Sequence, residues 1–397
     1  MKIILATESF YPLISGVSVS TALLAEKLAE NGHEVLVVTP SDNFSRSLTE
    51  HSTLKNLKIY RLRSLPNPFR SDSRIAILIQ KKVEEIMNGF KPDVVHLQDP
   101  AEIGEAVLKE AKKVGVPVVI TNHFSLESVT AYLRHLGFLE KIVPVFLLRR
   151  FKRIYNQCEC VITPTRVVAQ VVKSWGVAVP VRVIPNGVDI NRFHPQDPDP
   201  EIFARYNLSP TKPVVLYVGR LDHDKSPETL FYAVSRLKQK GFEADLAILG
   251  RGDLSEVCRE LAKELDIEDR VKFLGALPHE SPDLPKIYRL AKVFLIPSIE
   301  TQSLAVLEAL ATGLPIVGVD AGALAEIITP GKNGFLFPLA DTEAIADLVS
   351  DLLTKPDLAA EMKKNNIELA ARFSLEKVSR EMIGLYTEMA AKNKPHA

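Results

Sequence analysis

The sequence predicts an α/β protein built from two doubly wound domains. Short apolar runs alternate with longer amphipathic stretches from end to end, the pattern of parallel strands with helices on both faces. The alternation breaks in a stretch rich in Pro, Asp and Asn, 191–213, and then restarts, so the halves read as separate domains joined by a linker. At 397 residues the chain fits about two or three domains with a large buried core.

In the first half, apolar runs place strands at 2–6, 34–39, 57–61, 94–97, 116–121, 161–164 and 181–184. Helical periodicity between them places helices near 18–31, 73–89, 101–114, 144–157 and 166–175. The second half puts strands at 214–218, 245–249, 271–274, 293–296, 316–319 and 334–337. Its helices fall near 226–240, 254–265, 283–290, 303–311, 323–328 and 342–353. Gly313 and Pro315 stop the helix at 303–311. A last amphipathic helix covers 376–391. The domains are expected at 1–188 and 189–375. Ligands of doubly wound folds bind at the carboxyl ends of strands, so the site is expected in a cleft where the two domains face each other.

Composition narrows the function. Hydrophobic residues make up 46% and charged residues 25%, ordinary for a soluble globular chain. A formal net charge of zero gives no electrostatic footprint for nucleic acid. Three cysteines, Cys158, Cys160 and Cys258, make no disulfide framework or zinc site and suit a reducing cytoplasm. The apolar start of the chain is too short for a signal peptide, and no run reaches the roughly 18 apolar residues of a spanning helix. A cytoplasmic protein is expected.

The chemistry concentrates between 298 and 322. Glu300 lies in the loop after a strand, and Glu308 follows after seven intervening residues, inside the helix. The helix start presents backbone N–H groups near Gln302, Ser303 and Leu304 with a partial positive charge, an anion site suited to phosphate. The flanking carboxylates accept hydrogen bonds from hydroxyls, which a sugar and a ribose offer. Upstream, the strand at 214–218 runs into Gly219 and then Arg220 and Lys225. A forked guanidinium and a mobile ammonium at one strand end suit a diphosphate. In the first half, the strand at 2–6 opens into a small-residue loop with Ser15 and Gly16 before a helix, a second candidate anion site. His123 stands just past the strand at 116–121; read alone, it fits a structural role as well as a functional one. Asp222 and Asp224 read as turn and helix-start residues, and no Asp-x-Asp has a metal-binding setting. The segment 132–155 interleaves large apolar residues with Arg134, Lys141, Arg149, Arg150, Lys152 and Arg153, a pattern that fits either an anionic membrane surface or a core-facing helix with a solvated basic face.

Together these motifs resemble the signature of the retaining glycosyltransferases of family four, over nearly the whole chain. That resemblance implies the GT-B fold, two Rossmann-like domains facing across a cleft. The first domain would receive the acceptor, and the helix at 376–391 would cross back onto it. The resemblance also assigns roles. Glu300 and His123 would orient the transferred sugar, and Glu308 would hold the ribose. Arg220 and Lys225 would clamp the diphosphate. Gly16 would touch it from the facing domain, with Ser15 replacing one glycine of the family's pair. Gln302, Ser303 and Leu304 would offer backbone contacts, although the family's glycine-rich loop has no glycine here. No metal and no cofactor are expected beyond the donor itself, a UDP- or GDP-linked hexose. A partial resemblance to diacylglycerol glucosyltransferases rests on 132–155 and on Glu300-Thr301-Gln302. It implies a lipid acceptor and a peripheral place on the inner face of a membrane. The alternatives are a soluble metabolite or glycan as acceptor, or a nucleotide-sugar-binding protein without catalysis.

Overall fold

The computed structural model describes residues 1–42, 48–67, 74–124 and 139–392. They divide into two units. One holds the described residues up to Gly187 together with the chain from Leu375 onward, and the other is Val188–Ser374.

The first unit contains β1 (Lys2–Ala6), β2 (Glu34–Pro40), β3 (Leu48–His51), β4 (Leu57–Leu62), β5 (Ser64–Pro66), β6 (Arg74–Ala76), β7 (Val94–Leu97), β8 (Val118–Thr121), β9 (Cys160–Thr163) and β10 (Val181–Val183). Eight of them form one sheet in the order β10-β9-β8-β7-β1-β2-β4-β3, and β5 and β6 pair separately. Only β3 runs antiparallel to its neighbour within that sheet.

Alternation along these strands feeds two cores. Ile4, Ala6, Leu36, Val38, Val95, Leu97 and Ile120 point to one face and pack with helices Gln80–Phe90, Glu102–Lys113, Leu139–Tyr155 and Arg166–Ser174. Ile3, Leu5, Val35, Val37, Val94 and Val119 point to the other, against helices Gly16–Glu30 and Leu375–Lys392. Each buried aliphatic side chain contributes roughly 1.5–3 kcal/mol, so a sheet covered on both faces requires continuous apolar strands. The last helix is part of that covering: Val378, Met382, Leu385, Tyr386 and Met389 are all buried in the second core.

The second unit has six parallel strands, β11 (Val214–Val218), β12 (Asp245–Leu249), β13 (Val271–Gly275), β14 (Ala291–Ile296), β15 (Ile316–Val319) and β16 (Gly334–Phe337). Their order is β13-β12-β11-β14-β15-β16. The direction of winding reverses between β11 and β14, and loops leaving the carboxyl ends of those two strands diverge to leave a crevice.

The stretch expected to be a plain linker is partly helical. Pro200–Arg205 is a helix capped by Asp199, whose side chain accepts from the Glu201 N–H at 3.0 Å. Arg205 and Tyr206 both bond Asp283, at 2.7 and 2.9 Å, and Lys286 reaches Asp199 at 2.8 Å. Pro200 sits in the first helical turn, where its missing N–H has no intrahelical partner to lose.

Candidate active site

The crevice of the second unit is built first by backbone clearance. A Cβ on Gly219 would lie 2.7 Å from the Tyr217 hydroxyl, which itself donates to the Arg220 carbonyl at 2.8 Å. The loop after β12 presses against this one. A Cβ on Gly250 would collide with the Gly219 carbonyl, and one on Gly252 with the Asp222 carboxylate. The Asp253 N–H and the Leu221 N–H then tie the two loops, to Asp222 Oδ1 at 2.9 Å and to the Arg251 carbonyl at 3.2 Å.

On that base sits a charge cluster. Arg220 bonds the carboxylates of Asp222 and, at 3.2 Å, Asp224. Lys225 lies 3.6 Å from Asp224 and 2.8 Å from Glu300 on the loop after β14. Ser298 donates to the same Glu300 oxygen at 2.6 Å. Asp222 precedes and Asp224 lies within the 3-10 turn His223–Lys225, as expected of turn and helix-start residues, and both also pair with the cations. Their side chains are 8% and 5% exposed, against 26% for Arg220 and 19% for Lys225, so the acids lie beneath the bases and aim them outward. Burial pulls the Lys225 ammonium down, but Glu300 and Asp224 outweigh it and hold the group above the usual lysine range.

Beside the cluster, helix Leu304–Thr312 begins at Ser303 with no side-chain cap and no acid in its first turn. Gln302 and Leu304 are buried, and Ser303 is half-buried. Gly322 adopts φ +59, and its missing side chain lets the chain pass close to Glu300, whose carbonyl accepts from the Ala323 N–H at 3.0 Å. Glu308 is buried one turn into the helix. Tyr288 donates to its Oε2 at 2.6 Å, and His279 Nε2 lies 2.9 Å from its Oε1. Arg192 in turn approaches His279 Nδ1 at 3.4 Å and donates to the Ser281 carbonyl at 2.9 Å. Each carboxylate oxygen has a second lone pair, so Glu308 is oriented without being saturated.

In the first unit the winding reverses between β1 and β7. Ser15, which replaces a family glycine, has a structural task as the N-cap of helix Gly16–Glu30, its side chain exchanging bonds with Ser18. Gly16 is exposed, and a Cβ there would meet no protein atom within 4 Å. His123 follows β8 and is half-buried; its Nε2 lies 3.0 Å from Gln98 Oε1. Burial depresses its pKa to about 4, so the ring is neutral at neutral pH. Among the described residues, no group of three or more His, Cys, Asp or Glu side chains is gathered as a metal site.

The chain matches two family models, the one described as "Glycosyltransferase Family 4" over 14–192 and the one described as "Glycosyl transferases group 1" over 198–369. The chain belongs to glycosyltransferase family four. This family four enzyme is 25% identical over 90% of its length to alpha-monoglucosyldiacylglycerol synthase of Streptococcus pneumoniae, 80% of which is covered. It is 26% identical over 86% of its length to a GDP-mannose-dependent alpha-mannosyltransferase of Corynebacterium glutamicum, with 78% of that protein covered. Its fold is GT-B: sucrose-phosphate synthase from Thermosynechococcus elongatus superposes with a TM-score of 0.81 at 24% identity, over 99% of this chain and all of that one.

Within the glycosyltransferase, the structure brings Arg220, Lys225 and Glu300 into one cluster. Glu308 has its own ring of partners, and Gly16 and His123 belong to the other unit. Asp222, Asp224, Ser298, Tyr288 and His279 join these residues only through the fold and are not among the residues the sequence points to as the site. Gly250 and Gly252 did carry a signal, a glycine pair directly after a strand. The cationic segment lies outside the described residues up to 138. Beyond it, Arg150 and Arg153 are paired with Glu102 and Glu105, so the basic face is smaller than the sequence implies. Arg149 and Lys152 remain exposed, as do Val145 and Phe146. No helix of the described residues is long and apolar enough to cross a membrane.

Proposed function

We propose that this glycosyltransferase moves a hexose from a UDP- or GDP-linked donor to an acceptor hydroxyl, with retention at the anomeric carbon and without a divalent metal. One observation carries the reading. Arg220 and Lys225 stand at the carboxyl end of β11, with Lys225 bonded to Glu300 of the loop after β14, at the reversal point of the sheet and beside an uncapped helix start. A diphosphate there meets Arg220, Lys225 and the N–H groups near Ser303 and Leu304, while Glu300 accepts from a sugar hydroxyl and Glu308 from the ribose. As the anomeric C–O bond to phosphate breaks, negative charge grows on the diphosphate, and preorganised cations stabilise that charge more than the ground state. The acceptor oxygen attacks from the face the phosphate leaves, and its proton passes to the departing phosphate oxygen. His123 orients the sugar as a neutral hydrogen-bonding group.

The acceptor we assign is a membrane lipid hydroxyl of the diacylglycerol class. Its supports are the name of the pneumococcal relative and the exposed Val145, Phe146, Arg149 and Lys152 on helix Leu139–Tyr155. Incubation with UDP-glucose or GDP-mannose and diacylglycerol vesicles in chelator should give an α-linked glycolipid, read by the anomeric proton coupling. A β-linked product, or activity that appears only when magnesium or manganese is added, contradicts the proposed mechanism. Transfer to small polyols or glycans alone would move the acceptor to the soluble class.

A further inference from the structure

A buried hydrogen-bond chain runs through the first unit from His123 to the last helix. Gln98, 3% exposed just past β7, presents Oε1 to His123 Nε2 at 3.0 Å and Nε2 to His96 Nδ1 at 3.1 Å. The Tyr386 hydroxyl also reaches His96 Nδ1, at 2.6 Å, and His96 Nε2 lies 2.6 Å from Thr121 Oγ1. The direction of the chain follows from its donors. An amide nitrogen only donates, so His96 Nδ1 accepts, and its proton sits on Nε2 toward Thr121. An amide oxygen only accepts, so His123 must donate from Nε2 to Gln98. His123 Nδ1 has no partner among the described residues. The chain lines a pocket at the carboxyl ends of β7, β8 and β9, with Asn186, Leu375 and Met382 on its other walls. The main chain at Gln98 is fixed by its backbone N–H, held by the Ala6 carbonyl at 2.8 Å, and the amide itself is held between the two histidines in a buried place.

We propose that Gln98 is a positioning residue: it holds His123 in the Nε2–H tautomer, so that Nδ1 is presented as a hydrogen-bond acceptor to a hydroxyl of the transferred hexose. This rests on the reading that His123 touches that sugar. An acceptor nitrogen takes the O–H of that hydroxyl and fixes the direction in which it points; the opposite tautomer would donate to the hydroxyl oxygen and leave its proton to turn elsewhere.

The test uses nitrogen-15 histidine NMR and steady-state kinetics on the full chain. Wild-type His123 should show a protonated Nε2 and an unprotonated Nδ1. Gln98→Leu should abolish that preference and lower kcat on the order of tenfold or more, with nucleotide diphosphate affinity unchanged. Gln98→Glu, which still offers an oxygen to Nε2–H, should keep the tautomer and restore most of the rate. An Nδ1–H tautomer in wild type, or a Gln98→Leu protein that keeps both tautomer and rate, overturns the proposal. A folded Gln98→Glu protein that loses the tautomer does so too. The underlying reading fails separately: if His123→Ala turns over at the wild-type rate, His123 does not contact the sugar, whatever Gln98 does to its ring.

Discussion

Lys225 Nζ stands 2.8 Å from Glu300 Oε1, joining the loop after β11 to the loop after β14 across the reversal point of the sheet. The contact has two consequences. It places a cation and the carboxylate proposed to accept from the sugar within one hydrogen bond of each other. It also leaves the lysine in a cluster where three carboxylates, Asp222, Asp224 and Glu300, face two cations, so the proposed diphosphate would compete with all three for them.

The first prediction follows from that competition. Arg220→Ala and Lys225→Ala each delete a charge-assisted contact worth roughly 1.5–3 kcal/mol. Titration calorimetry of free nucleotide diphosphate should show about tenfold or greater loss of affinity in each. Unchanged affinity in both would remove the pair from the diphosphate site.

The two glutamates should separate. Glu308→Ala removes the ribose acceptor and strands the Tyr288 hydroxyl and His279, so nucleotide affinity should fall and stability should drop by about 1–3 kcal/mol. Glu300→Gln should leave free nucleotide binding nearly intact and lower turnover of the sugar donor. Equal effects of both substitutions on free nucleotide would contradict the division of roles.

The acid limb of stability should carry the mark of the buried histidines. Burial, with His123 nearby as a smaller cause, pushes His96 down to about 3, and burial pushes His123 down to about 4. Below about pH 6.5 the unfolded chain binds protons that these rings refuse, so each costs about 1.4 kcal/mol of stability per pH unit until its folded pKa is reached. Asp99 runs the other way. Burial raises it to about 6, and it adds stability as pH falls below that value. Urea midpoints at pH 7, 6 and 5 should therefore fall less steeply for His96→Gln than for wild type. Parallel slopes would show that His96 titrates normally in the fold.

Vesicle binding should depend on few residues. Phe146→Ser with Arg149→Gln and Lys152→Gln should abolish cosedimentation with anionic vesicles at low salt, since each basic residue near such a surface contributes about 1 kcal/mol. Arg150→Gln should matter less to the membrane, because Glu102 and Glu105 already neutralise it. A wild-type protein that ignores anionic vesicles would remove this helix from the acceptor reading.

Much of this was legible in the chain because of how parallel sheets bury strands. β1, β11, β12 and β15 are buried along nearly their whole length and appear as near-continuous apolar runs, so their ends could be read directly. The helices at Pro200–Arg205 and Pro356–Ala370 were not anticipated, since each opens with a proline that reads as a break when seen from upstream. Edge strand β3, Leu-Thr-Glu-His, has no apolar run to register, and β5 and β6 are three residues each. At the site, Arg220, Lys225, Glu300 and Glu308 stood out because they share one local pattern of strand, loop and helix start. Their partners did not. Tyr288 and His279 reach Glu308 only once β13, β14 and the helix between them are folded, and Gln98 meets His123 only because β7 and β8 are neighbours.

The Arg220–Lys225–Glu300 cluster is proposed to handle a nucleotide-linked hexose. Its most direct test is release of nucleotide diphosphate from UDP-glucose and GDP-mannose, with and without diacylglycerol vesicles, by wild type, Lys225→Ala and Glu300→Gln in chelator. Wild type should release nucleotide from one of the two donors in step with glycolipid formation, and both variants should lose that release by about tenfold or more. Release that survives both substitutions, or no release from either donor, would contradict the account.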